Sequence, residues 1–126
     1  MIESFEYASD ADLSQAWSSP SGATLSLSNS VAGHATGTKS LRVDAYFPAA
    51  SWATADLTGP MLTTPASIAA NQYVTLRIVG DAQFTNAVWQ QFYVYAYDGA
   101  GNFGRWGASI PTTNDWRILN FLASGM

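Results

Sequence analysis

The run from Val88 to Tyr97 (VWQQFYVYAY) constrains the fold more than any other part of the chain, because it alternates two unlike sets of side chains. Val88, Phe92, Val94 and Ala96 are apolar, with Gln90 the one interruption, while Trp89, Gln91, Tyr93, Tyr95 and Tyr97 carry large rings and an amide. In an extended strand successive side chains point to opposite faces, so one face is suited to a core and the other displays rings, most with a polar tip. A face selected for solubility alone would carry Lys, Glu and Thr. Rings with polar handles suit a flat, hydroxyl-rich, partly apolar ligand, and sugars are the leading class. Strand propensity alone is the competing explanation: tyrosine favours strands, and cross-strand aromatic pairs stabilise a sheet by roughly 0.2–1 kcal/mol each.

The same short period-two pattern, broken by Gly, Pro, Asn and Asp, fills most of the chain and predicts an all-β sandwich or barrel. Strands are predicted at Ile2–Tyr7, Ala23–Ser28, Ser40–Phe47, Trp52–Leu57, Tyr73–Gly80, Val88–Asp98, Phe103–Trp106 and Asp115–Leu122. Leu41, Val43, Ala45 and Phe47 form one inner face; Val74, Leu76 and Ile78 form another. Asp98-Gly99-Ala100-Gly101-Asn102 reads as a hairpin turn. Pro60 and Pro65 block a long helix between Leu57 and Asn71, where a short helical turn at Ser67–Ala70 is the most that fits. No segment shows a sustained helical period with a capping signal.

If Ser40–Phe47, Tyr73–Gly80 and Val88–Asp98 share a sheet, their solvent sides gather Arg42, Asp44, Tyr46, Tyr73 and Arg77 with the ring row. Apolar C–H faces of a pyranose pack on rings, while guanidinium, amide and carboxylate groups bond its hydroxyls. Trp52 and Trp106 are candidates to flank such a cleft. Trp116 is assigned to the core, and Trp17 to a covering position at one end.

At 126 residues the chain is read as a single domain, 1–126, long enough to bury roughly 65–70% of its unfolded surface without metal or disulfide help. It has no cysteine, which excludes disulfides, thiolate metal sites and cysteine nucleophiles. Charged residues are only 11% of the chain and the net charge is −4, with no basic cluster, so phosphate-directed nucleic-acid binding is disfavoured. The apolar runs fall far short of a membrane span, and no charged and then apolar leader opens the chain.

Enzymatic chemistry finds little to build on. Glycoside hydrolysis needs two carboxyl groups about 5–9.5 Å apart. Glu3 and Glu6 would face opposite sides of a strand, and nothing marks Asp44 or Asp56 as a catalytic acid; a pairing of Asp44 with Arg42 or Arg77 fits better. His34, the one histidine, sits in a small-residue loop, and a histidine zinc site would need several more ligands.

Several short elements make the chain resemble jelly-roll carbohydrate-binding modules of bacterial glycanases, nearest to families four and eleven. These are Phe5-Glu6, Leu13 with Trp17, Gly33 and Gly37 leading into Ser40-Leu41-Arg42-Val43, and Asp115-Trp116. The resemblance covers the whole chain. It implies two antiparallel sheets, a concave glycan-binding face, no catalysis by the module, secretion, and attachment to a larger glycanase. It also implies a structural calcium away from the ligand, held by the carboxylate of Glu6 and the backbone carbonyl near Lys39. The family pattern continues into another strand with an acidic calcium ligand, whereas this sequence ends at Ala123-Ser124-Gly125-Met126. An edge strand left open by that difference would favour dimerisation. The expectation is a non-catalytic module for a β-glucan such as mixed-linkage glucan or xyloglucan. Trp89, Tyr93, Tyr95 and Tyr97 would stack, and Gln91, Arg77, Asp44 and Arg42 would hydrogen-bond. A protein-binding or adhesion domain is the alternative, followed by a small glycan-active enzyme.

Overall fold

The fold is described from a computed structural model, over residues 3–33, 37–46, 54–61, 67–80, 91–98, 100–109 and 115–125. Among these residues the protein is mainly β, with antiparallel ladders and one short helix, in keeping with the all-β expectation. By its internal contacts the chain divides into two compact units, Met1–Thr63 and Thr64–Met126.

The first unit holds α1 (Asp10–Ala16) and the hairpin of β1 (Thr24–Ser28) with β2 (Ser40–Asp44). The β pairing sets Leu25 opposite Val43 and Leu27 opposite Leu41, so the apolar residues share a face. Helix α1 was not foreseen, although its start is written in the sequence as Ser-Asp-Ala-Asp. The Ser9 hydroxyl accepts from the Asp12 amide at 3.2 Å and donates to the Asp12 carboxylate at 2.7 Å, a reciprocal cap. The helix buries Leu13 completely, and Asp10 accepts from the Leu27 amide at 2.7 Å, tying α1 to β1.

The strand predicted at Ile2–Tyr7 does not form across the described residues 3–7. Phe5 lies in the left-handed region at φ 56°, and the Glu3 carboxylate accepts from the Ser4 and Phe5 amides at 2.8 Å each. A side chain that captures neighbouring amides offers the backbone a local alternative to a ladder. The predicted strand Trp52–Leu57 is likewise absent over residues 54–57; only Thr58 bridges, to Ser18. Trp52 lies outside the described residues. Trp17 sits beneath this bridge, against Phe5 at 5.4 Å, with Gly59 so close that an added Cβ would lie 2.6 Å from the indole.

The second unit holds two ladders: β3 (Tyr73–Ile78) with β6 (Arg117–Leu122), and β4 (Gln91–Tyr97) with β5 (Phe103–Ser109). Along β3, Val74, Leu76 and Ile78 turn inward and Tyr73, Thr75 and Arg77 outward, as the alternation predicts. Ser67–Ala70 is not helical; the chain turns there through a Gln72 amide to Ala69 carbonyl bond of 2.9 Å.

Trp106 joins the ladders. Its indole N–H donates to the Leu122 carbonyl at 2.9 Å, and its ring packs on Phe121 at 5.9 Å. At 6% exposure it is core, a correction to its assignment beside a cleft. The ladder explains why: Trp106 stands opposite Val94, on the inward face of β4. Trp116 is half-buried. Among the described residues β2 pairs with β1 in the first unit, and in the second β3 pairs with β6 and β4 with β5, so β3 and β4 are not hydrogen-bonded neighbours.

Candidate functional site

The hairpin turn positions the ring row. Asp98 Oδ1 accepts from the Ala100 amide at 2.9 Å and the Asn102 amide at 2.8 Å, and Oδ2 accepts from the Asn102 side chain at 2.8 Å. Gly101 takes φ 85°, which a side chain would resist. Hydrogen bonds from Asn102, its side chain foremost, hold the Asp98 carboxyl below its ordinary pKa. With the turn closed, the register pairs Tyr97 with Phe103, Tyr95 with Arg105, Tyr93 with Gly107 and Gln91 with Ser109. Directly opposed residues share a face, so the seven side chains of these eight residues project to one side, with Gly107 bare among them.

That side is open to solvent. Tyr93 is 41% exposed, Tyr95 46%, Tyr97 69% and Phe103 62%. Phe103 lies between two tyrosines, 5.9 Å from Tyr95 and 5.7 Å from Tyr97, and Tyr93 follows Tyr95 at 6.5 Å. The rings are tilted on one another by 40–51°, leaving faces and edges both presented. The Tyr93 ring covers Gly107, whose added Cβ would meet ring carbon Cε1 at 2.7 Å. The Arg105 guanidinium stands 4.9 Å from the centre of the Tyr93 ring. At the end of the row an open hollow of about 300 Å³ is lined by Gln91, Tyr93, Gly107, Ala108 and Ser109, and the Tyr93 hydroxyl donates to Gln91 Oε1.

Of the residues predicted to bind, Gln91, Tyr93, Tyr95 and Tyr97 therefore lie together on one exposed face. Trp89 lies outside the described residues. Arg77 is exposed on β3, in the other ladder of the same unit. Arg42, Asp44 and Tyr46 belong to the first unit. Arg42 forks onto Asp44 at 2.8 and 3.0 Å, and Tyr46, just beyond β2, is 88% exposed. Phe103 and Arg105 belong to the ring face and were missed by sequence reasoning. Counting outward from the Asp98–Asn102 turn in steps of two would have found both, since it pairs them with tyrosines.

Glu6 and Lys39, predicted to serve a calcium ion, do meet. Glu6 Oε1 accepts from the Thr38 amide at 2.6 Å and the Lys39 amide at 2.9 Å, and Oε2 accepts from the Thr38 hydroxyl at 2.9 Å. The Lys39 ammonium donates to the Tyr7 carbonyl. These donors, the Lys39 amide first, lower the Glu6 pKa. Calcium asks for six to eight oxygens. Here one carboxylate has both oxygens facing N–H and O–H donors, with an ammonium on a neighbouring carbonyl, and this donor set does not fit the ion. Among the described residues no group of three or more His, Asp or Glu gathers as a metal site.

Glu3 forms a separate network, accepting from the Tyr7 hydroxyl at 3.0 Å and the Trp17 indole at 3.3 Å as well as from its two neighbouring amides. Partial burial works to raise its pKa, yet these hydrogen bonds outweigh it and the net direction is down. Burial, then the bond to Glu3, raises Tyr7. Among the described residues no helix is long and apolar enough to cross a membrane. Comparison with protein-family models, curated proteins and solved structures finds no match to this chain.

Proposed function

We propose that the chain is a non-catalytic carbohydrate-binding module of the jelly-roll β-sandwich kind, taking a β-glucan-type polysaccharide on the outward face of β4 and β5. The observation that supports this reading is the solvent-open row of Tyr93, Tyr95, Phe103 and Tyr97. Four adjacent rings held out of a core by strand register are a stacking platform for the C–H faces of successive sugar units. The three tyrosine hydroxyls, with Gln91 and Ser109 at one end, supply the directional bonds that fix orientation. In a secreted glycanase such a module raises the local concentration of the linked enzyme at its substrate.

Affinity electrophoresis through mixed-linkage glucan and xyloglucan tests the reading, with Tyr95→Ala as the diagnostic variant. Tyr95 is nearly half exposed, so its removal is expected to cost roughly 1 kcal/mol or less in stability, the scale of a cross-strand pair, while abolishing retardation. Unretarded wild-type protein on every β-glucan would reject the function. A large loss of stability in Tyr95→Ala would assign the rings to packing.

A further inference from the structure

Building on the glycan-binding reading, we propose that the polysaccharide taken by the hairpin carries carboxylate groups, one of which is received by Arg105.

On the outward face of β4 and β5 the aligned side chains are rings, an amide, a hydroxyl, a glycine and a single ionised group, Arg105. Asp98 stands at the turn with both oxygens engaged by Ala100 and Asn102. Among the described residues the one ion pair is Arg42 with Asp44, so no described carboxylate neutralises Arg105. A cation here is conspicuous in a chain of net charge −4, with five Lys and Arg against nine Asp and Glu. Arg105 is also held: it stands opposite Tyr95 and its guanidinium rests over the Tyr93 ring at 4.9 Å. A guanidinium so placed carries paired N–H groups that match the two oxygens of a carboxylate. The rings on either side supply the stacking that a sugar needs and a free inorganic anion does not. Bulk attraction of polyanions by the protein is excluded by its negative net charge, so selectivity for an acidic glycan rests on this local arrangement.

Carboxymethylcellulose and hydroxyethylcellulose share a β-glucan backbone and differ in the carboxylate, which makes them the probes. In low-salt affinity electrophoresis, wild-type protein is expected to bind the carboxymethyl polymer about tenfold more tightly, the worth of one charge-assisted hydrogen-bonded contact. Arg105→Gln is expected to erase the preference, its retardation by the carboxymethyl polymer falling to the level of that by hydroxyethylcellulose. Arg105→Lys, which keeps charge but loses the fork, should restore only part of it, and added salt should narrow the wild-type preference. Equal binding of both polymers, a preference for the neutral one, or a preference that survives Arg105→Gln overturns the inference and leaves glycan binding intact. Failure of the wild type to bind either polymer, or any neutral glucan, overturns both.

Discussion

Gly107 and Tyr93 face each other across the β4–β5 ladder, and the ring lies where a methyl group on residue 107 would stand. Glycine inside a strand ordinarily weakens it by roughly 0.5–1 kcal/mol relative to alanine, so its presence here goes with the close approach of the ring. Gly107→Ala should therefore leave the melting temperature close to wild type, the gain in strand preference offsetting the displaced contact. The Tyr93 ring itself must swing away, and Arg105 loses the surface beneath it. Near-ultraviolet circular dichroism should report the ring movement, and glycan retardation should fall. A variant with an altered melting temperature but unchanged retardation would show that Tyr93 serves packing and not recognition.

At the scale of elements, the strand cores were legible wherever alternation and turn chemistry agreed. Tyr73–Ile78 and Gln91–Tyr97 lie inside the strands predicted for them, and the Asp98–Asn102 turn joins β4 and β5 as read. The N-terminal segment was misread because Glu3 bonds its own neighbours' amides, an interaction no period reveals. Helix α1 was missed because, with seven residues, it is too short for a periodic signal to rise above its surroundings. Within the site, the tyrosines were found by alternation on one strand, whereas Phe103, Arg105 and the core role of Trp106 needed the partner strand's register. That register has a measurable consequence. Trp106→Phe keeps a ring against Phe121 but leaves the Leu122 carbonyl without its indole donor. A loss of about 1–3 kcal/mol in denaturant unfolding is expected, with glycan retention per folded molecule unchanged. Lost retention at undiminished stability would return Trp106 to the binding surface.

Across the whole molecule, acid should be the condition that loosens the structure. Glu3, Glu6 and Asp98 each have a pKa lowered in the folded state, by hydrogen bonds that require the charged form. A depressed folded-state pKa means that the unfolded chain binds the proton more readily. Such a group contributes its stabilisation above the unfolded pKa and loses it as pH falls through the folded value. The melting temperature should thus be flat through the mildly acidic to neutral range and decline once pH drops below the usual carboxylate values. Glu6→Gln should lower the plateau and shallow the decline; a melting temperature that rises on acidification would contradict the assignment. The arrangement of these bonds also bears on how the protein is made. Glu3 and Glu6 find their partners at Trp17, Thr38 and Lys39, and the Trp17 ring is closed over by Gly59, all before Thr63. A ribosome that has extruded the chain past that point has already released every described partner of the amino-terminal cluster, so the bonds of Glu3 and Glu6 wait on nothing translated after Thr63.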